Sequence, residues 1–335
     1  MLSKTSISLE TMVDTLKAAG ESSRLRILIL LATCDLTVTD ITDILGQSQP
    51  RVSRHLKLLL DADLIERYQE GSWAFFRRAD SEFARDLVHG LVARLNLTDA
   101  VIARDRERLD NVRSRRQQRA AEYFSANAAS WDRIRSLHVP DQPVEAAMLQ
   151  ILGNRPLQAM ADLGTGTGRM LELFAPLYRR AVGIDMSREM LAIARANLDR
   201  AGVSSAQVRQ GDIYSPPVER DAFDLVTMHQ VLHYLDDPAR AIREAARLLR
   251  PAGRLLVVDF APHRLEFLRD EHAHQRLGFP DRQIEEWMAE AGLELTERRD
   301  FDRHAAAAPG LTVKLWLGQD RRLLIASENA ASETA

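Results

Sequence analysis

The chain has 335 residues, with Lys+Arg 45 against Asp+Glu 48 and a formal net charge of −3. That length favours two packed units, and that balance excludes a generally polybasic nucleic-acid coat, leaving only local basic surfaces. A single cysteine, Cys34, excludes an internal disulfide and a thiolate metal cage and fits a reducing cytoplasm, while no apolar run approaches the roughly 20 residues that span a bilayer.

The opening MLSKTSISLETMVDTL lacks an apolar stretch ending in small residues, so it does not read as a signal peptide. We therefore expect a soluble, cytoplasmic protein with no membrane partner and no metal site. From Ser8 to about Ala93 the pattern predicts short helices in SLETMVDTLKAA, SRLRILILLAT, VTDITDIL and SQPRVSRHLKLL. A hairpin follows in ERYQEGSWAFFRRA, where Glu70-Gly71 separates two aromatic-bearing strands. Helices followed by a hairpin read as a winged helix.

In the fourth helix Val52, Leu56, Leu59 and Leu60 fall on one stripe that must pack against a core. Pro50, Ser53, Arg54 and Lys57 take the opposite face, with Gln49 and Arg51 near the helix start, where a recognition helix meets base edges and phosphates. Alone, such a face would read as merely solvated. The preceding helix, Thr39 to Leu45, ends at Gly46, and the GQS turn gives helix-turn-helix spacing. Gln49, Arg51, Ser53, Arg54 and Lys57 are thus the candidate DNA-binding residues, and a double-stranded DNA operator the expected partner.

Residues 9 to 95 resemble the ArsR-type winged-helix repressors through LTVTDITDILGQSQPRVSRHLKLLLDADLIERYQEGSWAFFRR. The resemblance implies a homodimer joined through about Leu9 to Ala19 and Ser81 to Leu95, with two recognition helices on a pseudo-palindromic site. Many such repressors sense soft metals through Cys-Val-Cys at the start of the helix before the turn. Here Thr37-Val38-Thr39 stands there, and hydroxyls do not hold a thiophilic ion. Cys34 lies outside that pattern and reads as a half-buried small residue. The LTVT and GQSQPRVSRHLKLL segments look similar to a subset of the family that responds to S-adenosylhomocysteine.

From Thr98 to about Gln118, VIARDRERLDNVRSRRQQR is charge-rich and reads as an exposed linking helix rather than a core element. The expected organisation is a DNA-binding and dimerisation domain over 1–96, a charged linker helix over 97–121, a second domain over 122–320 and a disordered tail over 321–335, where SENAASETA is small and polar. AEYFSANAASWDRIRSL looks like an amphipathic lead-in, and from Leu157 strands and helices alternate at βαβ spacing.

AMADLGTGTGRM places an apolar strand, Ala159 to Leu163, directly before Gly164, Gly166 and Gly168 and directly after it a helix. A glycine-rich loop alone is weak, since any tight strand-to-helix turn can require glycine. Here the spacing is GxGxG rather than the GxGxxG of dinucleotide sites, and Asp162 before it suits a ligand bearing an ammonium group. The next strand, AVGID, ends at Asp185, whose carboxylate can accept both ribose hydroxyls. A third, QVRQGDI, ends at Asp212, where the carboxylate or neighbouring backbone can read an adenine amino edge. Together these residues predict a site for S-adenosylmethionine, or for S-adenosylhomocysteine as ligand, lined by Asp162, Gly164, Thr165, Gly166, Gly168, Asp185, Met186, Asp212, Ile213 and His229.

The region from about Glu122 to Leu317 resembles the class I methyltransferases, particularly small-molecule members of the ubiquinone-biosynthesis type. The matching residues are DLGTGTG, VGIDMSREML, GDIYSPP, FDLVTMHQVLHYLDDPARAIREAARLLRPAGRLLVVDF and LGFPDRQIEEWMAEAGL. Thr165 stands where cysteine is common, and Ala252 where a second glycine often sits. The fold implied is two-domain: a mainly-α winged helix-turn-helix, then an α/β Rossmann-like methyltransferase with a seven-stranded sheet whose last strands, about Leu293 to Phe301 and Leu311 to Leu317, are an antiparallel pair.

Methyl transfer from a sulfonium is an in-line displacement, so positioning dominates and a general base is needed only for a protonated acceptor. His229 reads as lining the cofactor and His233 as packing, in preference to a catalytic role, and no catalytic residue is assigned. His272 and His274 are two apart and cannot form the i, i+4 metal pair, while Asp270 and His274 read as a structural pair on a helix. Tyr123 and Trp131 read as packing or as a cover over cofactor or substrate. Thr227-Met228-His229-Gln230 is not the Pro-Pro-aromatic tetrad of amino-directed DNA methyltransferases, and Cys34 lies in the wrong domain for cytosine C5 or arsenite chemistry. The expectation is a DNA-binding regulator coupling methyl-donor status to gene expression. The alternative is a working methyltransferase on a small-molecule acceptor, with an accessory winged helix.

Overall fold

A computed structural model of the chain describes residues 7–70, 73–79, 81–128, 131, 141–301 and 311–322. Residues 323–335 of the expected disordered tail, much of the lead-in and the tip of the hairpin lie outside them, while Arg322, expected in that tail, is paired with Asp320 and Asp221. The chain divides into two compact units, residues 1–118 and 119–335.

The amino-terminal unit holds α1 (Leu9–Ala19), α2 (Ser22–Leu31), β1 (Leu36–Thr37), α3 (Val38–Leu45), α4 (Gln49–Asp61), β2 (Ile65–Glu70), β3 (Trp73–Arg78), α5 (Glu82–Val92) and the start of α6 (Ala100–Asn127). Its sheet is ordered β1-β3-β2, all antiparallel, which makes the wing. A capping box starts α3: Asp40 N–H donates to Thr37 Oγ1, and the Asp40 carboxylate accepts from Thr37 N. Gly46 ends it in the left-handed region, φ 65°. Ser48 is the N-cap residue of α4, and Pro50 fills the first turn, where its missing N–H is no loss.

Val52, Leu56 and Leu59 of α4 are buried with Ile27, Ile41, Ile44, Leu64 and Phe76, as their spacing requires. Between them His55 is also buried, and burial holds its imidazole below the usual histidine range against the opposing pull of Glu21. The linking helix departs from expectation. Instead of lying exposed, α6 buries Ile102, Asp105, Leu109 and Val112 on one stripe, and Leu109 and Val112 join the winged-helix core.

In the carboxy-terminal unit α7 (Asp141–Leu152) precedes β4 (Leu157–Leu163), α8 (Arg169–Leu173), β5 (Tyr178–Asp185), α9 (Arg188–Arg200), β6 (Ala206–Gln210) and β7 (Phe223–His229). Then come α10 (Pro238–Leu248), β8 (Leu249–Phe260), α11 (Phe267–His272), α12 (Asp281–Glu290), β9 (Leu293–Phe301) and β10 (Val313–Asp320). The seven-stranded sheet has the order β6-β5-β4-β7-β8-β10-β9, and only the pairs made by β10 are antiparallel. Successive side chains leave opposite faces: Ala159, Ala161 and Leu163 enter one apolar cluster, while Met160 enters the other. Both faces are covered, which is why these strands read as continuous apolar runs.

The last strand begins two residues later than expected and runs three further, because Gly318, Gln319 and Asp320 continue to pair with Leu295, Glu294 and Leu293. Strand order reverses at β4, which pairs with both β5 and β7, so the carboxyl ends of these three strands border the crevice where such sheets take ligands.

Candidate functional site

At the end of β4 the chain turns through Gly164, φ 73°, and the N–H groups of Gly164 and Thr165 donate to the carbonyl of Ile184 on β5 at 2.8 and 3.0 Å. A Cβ at Gly164 would stand 2.4 Å from Val231 Cγ2, so close approach as well as backbone angle requires glycine there. Gly168 caps α8, and Thr165 is buried beneath the loop. Asp162 is 1% exposed, and Thr227 Oγ1 of β7 donates to its Oδ1 at 2.6 Å.

Asp185 closes β5. Gly166 N–H donates to its Oδ2 and Ser187 N–H to its Oδ1, each at 2.9 Å, so the glycine loop and the start of α9 fix one carboxylate between them. Burial raises the Asp185 carboxyl above the usual aspartate range, and the N–H donors of Ser187, Gly166 and Met186 pull the other way. Met186 is half-exposed beside it. After β6, Asp212 Oδ1 accepts from Tyr214 N–H at 2.9 Å and Ile213 is buried. His229 ends β7 part-buried, followed by Gln230 at φ 51°, whose N–H donates to Val258.

The residues expected at the site therefore stand on the glycine loop and at the carboxyl ends of the first four strands of the sheet. Their donors and acceptors fit S-adenosylmethionine or S-adenosylhomocysteine. A carboxylate offers about four lone-pair positions, and Asp185 gives each backbone donor one, which leaves both oxygens able to accept from a ribose diol.

An aromatic group lies at the same end. The Trp131 indole Nε1 would be 3.5 Å from a Cβ on Gly166, and its ring packs edge-on to Phe124 at 5.2 Å and tilted to Tyr234 at 6.3 Å. Tyr123 Oη is 2.7 Å from His272 Nδ1, and burial raises the phenol above its ordinary range. His233 packs, as expected, but with a partner that the sequence did not show: its Nδ1 is 2.7 Å from Oδ1 of Asp259, which is fully buried on β8. Asp270 and His274 do not share the helix on which the sequence places them, because α11 stops at His272 and Ala273 takes φ 56°. The His274 ring lies instead on that of His233, with centroids 4.1 Å apart.

In the amino-terminal unit Gln49, Arg51, Ser53, Arg54 and Lys57 are all exposed along α4, opposite its buried stripe. The wing carries a stacked Tyr68–Phe75 pair, with Arg77 over Tyr68, and Trp73 is 44% exposed near its tip. Among the described residues no helix is long and apolar enough to cross a membrane, and no group of His, Cys, Asp and Glu could hold a metal ion.

Comparison with known proteins agrees with both units. Residues 21–67 match the family model described as bacterial regulatory protein, arsR family, and residues 161–257 match one described as methyltransferase domain. An uncharacterized methyltransferase, YcgJ, of Bacillus subtilis is 33% identical over 116 residues, 34% of this chain and 46% of that protein. The ubiquinone/menaquinone biosynthesis C-methyltransferase UbiE of Vibrio parahaemolyticus is 34% identical over 118 residues, 34% of this chain and 46% of that protein. An arsenite methyltransferase of Aquipseudomonas alcaligenes is 36% identical over 123 residues, 33% of this chain and 36% of that one. The chain thus spans less than half the length of each of these relatives. With the loop, the strand ends and the helix-turn-helix in place, one polypeptide carries a segment, residues 21–67, similar to the bacterial arsR regulatory family and a segment, residues 161–257, similar to methyltransferase domains.

Proposed function

We propose that the protein is a cytoplasmic transcription regulator that binds an operator as a homodimer and reads methyl-donor status through S-adenosylmethionine or S-adenosylhomocysteine held by its carboxy-terminal unit. The observation that carries the reading is Asp185, fixed by Gly166 and Ser187 at the reversal of the sheet, in one chain with an exposed basic face on a recognition helix. Self-association is supported by α1, where Leu9, Val13 and Leu16 form an exposed apolar stripe with 82%, 40% and 48% accessibility. Gln49, Arg51, Ser53, Arg54 and Lys57 are the DNA contacts of this reading.

A second reading, a working small-molecule methyltransferase, is favoured by the aromatic group and by the Tyr123–His272 pair at the same sheet end. There S-adenosylmethionine supplies an electrophilic methyl group, and the side chains hold an acceptor in line with it. Calorimetric titration of the full chain with each ligand tests the part common to both. Saturable binding of S-adenosylhomocysteine at one site per chain is the expected result, and absence of binding of either ligand contradicts both readings.

A further inference from the structure

We propose that α6 is the element through which the ligand state of the carboxy-terminal unit reaches the DNA-reading helix, and that Arg108 and Arg116 are the coupling residues. The inference rests on the regulatory reading above and names its device.

Side chains of helix α6 and its partner Arg26 reach both ends of α3, the helix that precedes the turn. These contacts climb α3 backwards. Asp105 takes Arg26 in a two-point pair, at 2.5 Å on each oxygen, and Arg26 Nη2 also reaches the carbonyl of Leu45 at 3.4 Å. One turn on, Arg108 Nη1 donates to the carbonyl of Ile44 at 2.9 Å. Two turns further, Arg115 lies 3.6 Å from Asp43, and Arg116 Nη2 donates to Asp40 Oδ2 at 2.6 Å.

Both ends of α3 are therefore held by one neighbour. At its carboxyl end the Arg108 guanidinium meets an orphan carbonyl and the negative end of the helix dipole. It lies so close to the turn that a Cβ on Gly46 would be 2.7 Å from Nη1. At its amino end Arg116 binds the same Asp40 oxygen that accepts from Thr37 N and Thr37 Oγ1, so the ion pair is part of the cap itself. Asp40 and Asp105 are buried, and guanidinium-carboxylate bonds of this kind are directional as well as strong. A shift of α6 along its axis cannot leave α3 in place without breaking them, and α3 leads into α4 through the turn at Gly46.

The same helix continues unbroken to Asn127 and carries Tyr123 and Phe124, which belong to the aromatic group of the carboxy-terminal unit through His272, Trp131 and Tyr234. One continuous helix thus bears the clamp on the helix-turn-helix at one end and residues of the candidate ligand site's neighbourhood at the other. Coupling needs an element with two arrangements that the ligand favours unequally, and α6 is the element so placed.

The test is hydrogen–deuterium exchange on the full chain with and without S-adenosylhomocysteine, for the wild type and for the double variant R108Q/R116Q. In the wild type the ligand is expected to slow exchange at residues 164–168 and to change exchange in α3 and α4 by about fivefold or more, the lower end of typical coupling. In the double variant protection at 164–168 is expected to persist, with ligand affinity changed by no more than about the coupling factor itself, since coupling is reciprocal, while the change in α3 and α4 disappears. The variant R108K/R116K, which keeps both charges, is expected to recover part of it and to show that loss of folding is not the cause. If the change in α3 and α4 survives intact in R108Q/R116Q, the clamp is not the route and the inference falls while the regulatory reading stands. A wild type protected at 164–168 but unchanged in α3 and α4 overturns the regulatory reading itself.

Discussion

Replacing Asp185 by Asn is expected to weaken S-adenosylhomocysteine binding by roughly 100-fold or more. The carboxylate accepts two backbone N–H groups, from Gly166 and Ser187, and is assigned two ribose hydroxyls besides. The amide has one acceptor oxygen for these four donors, and its NH2 faces one of the two backbone donors. Hydrogen bonds to a charged partner contribute about 1.5–3 kcal/mol each, and every 1.4 kcal/mol is about tenfold in affinity, so losing two gives the stated range. The pH dependence has a definite sign. Burial raises the folded-state pKa of Asp185, so the proton that abolishes acceptance is taken up above the ordinary aspartate value of about 3.9. Affinity in the wild type falls on acidification before ordinary carboxylates titrate, whereas in D185N it is already low and stays flat across that window. Calorimetric titration across pH measures both, and a D185N affinity within about threefold of wild type, under 1 kcal/mol, removes Asp185 from the site.

The second large effect is expected on DNA. Arg51, Arg54 and Lys57 project from the exposed face of α4, and their joint replacement by Ala deletes side chains outside the buried cluster of Val52, Leu56 and Leu59. Removing one cation from a phosphate reduces the magnitude of the slope of log affinity against log salt by about 0.9, and removing a side chain that reads a base edge costs about 1–3 kcal/mol. The triple variant is expected to bind the duplex upstream of its own coding sequence roughly 100-fold or more weakly, with a shallower salt slope and an unchanged melting temperature. Unchanged affinity and slope would leave the helix-turn-helix as an interaction module that does not read DNA.

Much of this was legible in the sequence where the signal is local. The period of Val52, Leu56 and Leu59 decides which face of α4 packs, and the strand-glycine-helix order places the loop because β4, Gly164 and α8 are contiguous. Asp185 is visible because it ends an apolar strand, whereas Asp212, expected to end the third strand, stands two residues beyond β6, which stops at Gln210; parallel strands of a doubly wound sheet end together. What escapes depends on partners far apart in the chain. Helix α6 reads as solvated because its stripe is interrupted by charge, yet Asp105 is buried against Arg26, 79 residues away, and Arg116 binds Asp40, 76 residues away. A pattern of charges shows neither its partner nor its burial. The same holds for His233, whose Asp259 comes from the next strand, and for Tyr123, whose His272 lies 149 residues on. The end of α11 is hidden for a local reason: Ala273 adopts a left-handed angle that alanine does not advertise.

The most direct test of the coupling is the affinity of the full chain for the duplex upstream of its own coding sequence, at one fixed salt concentration, without ligand, with saturating S-adenosylmethionine and with saturating S-adenosylhomocysteine. A difference of about fivefold or more between any two of these conditions is expected, which corresponds to a coupling free energy of about 1 kcal/mol or more. Equal affinity in all three, with both ligands bound, would contradict the coupling and leave small-molecule methyl transfer as the reading that remains.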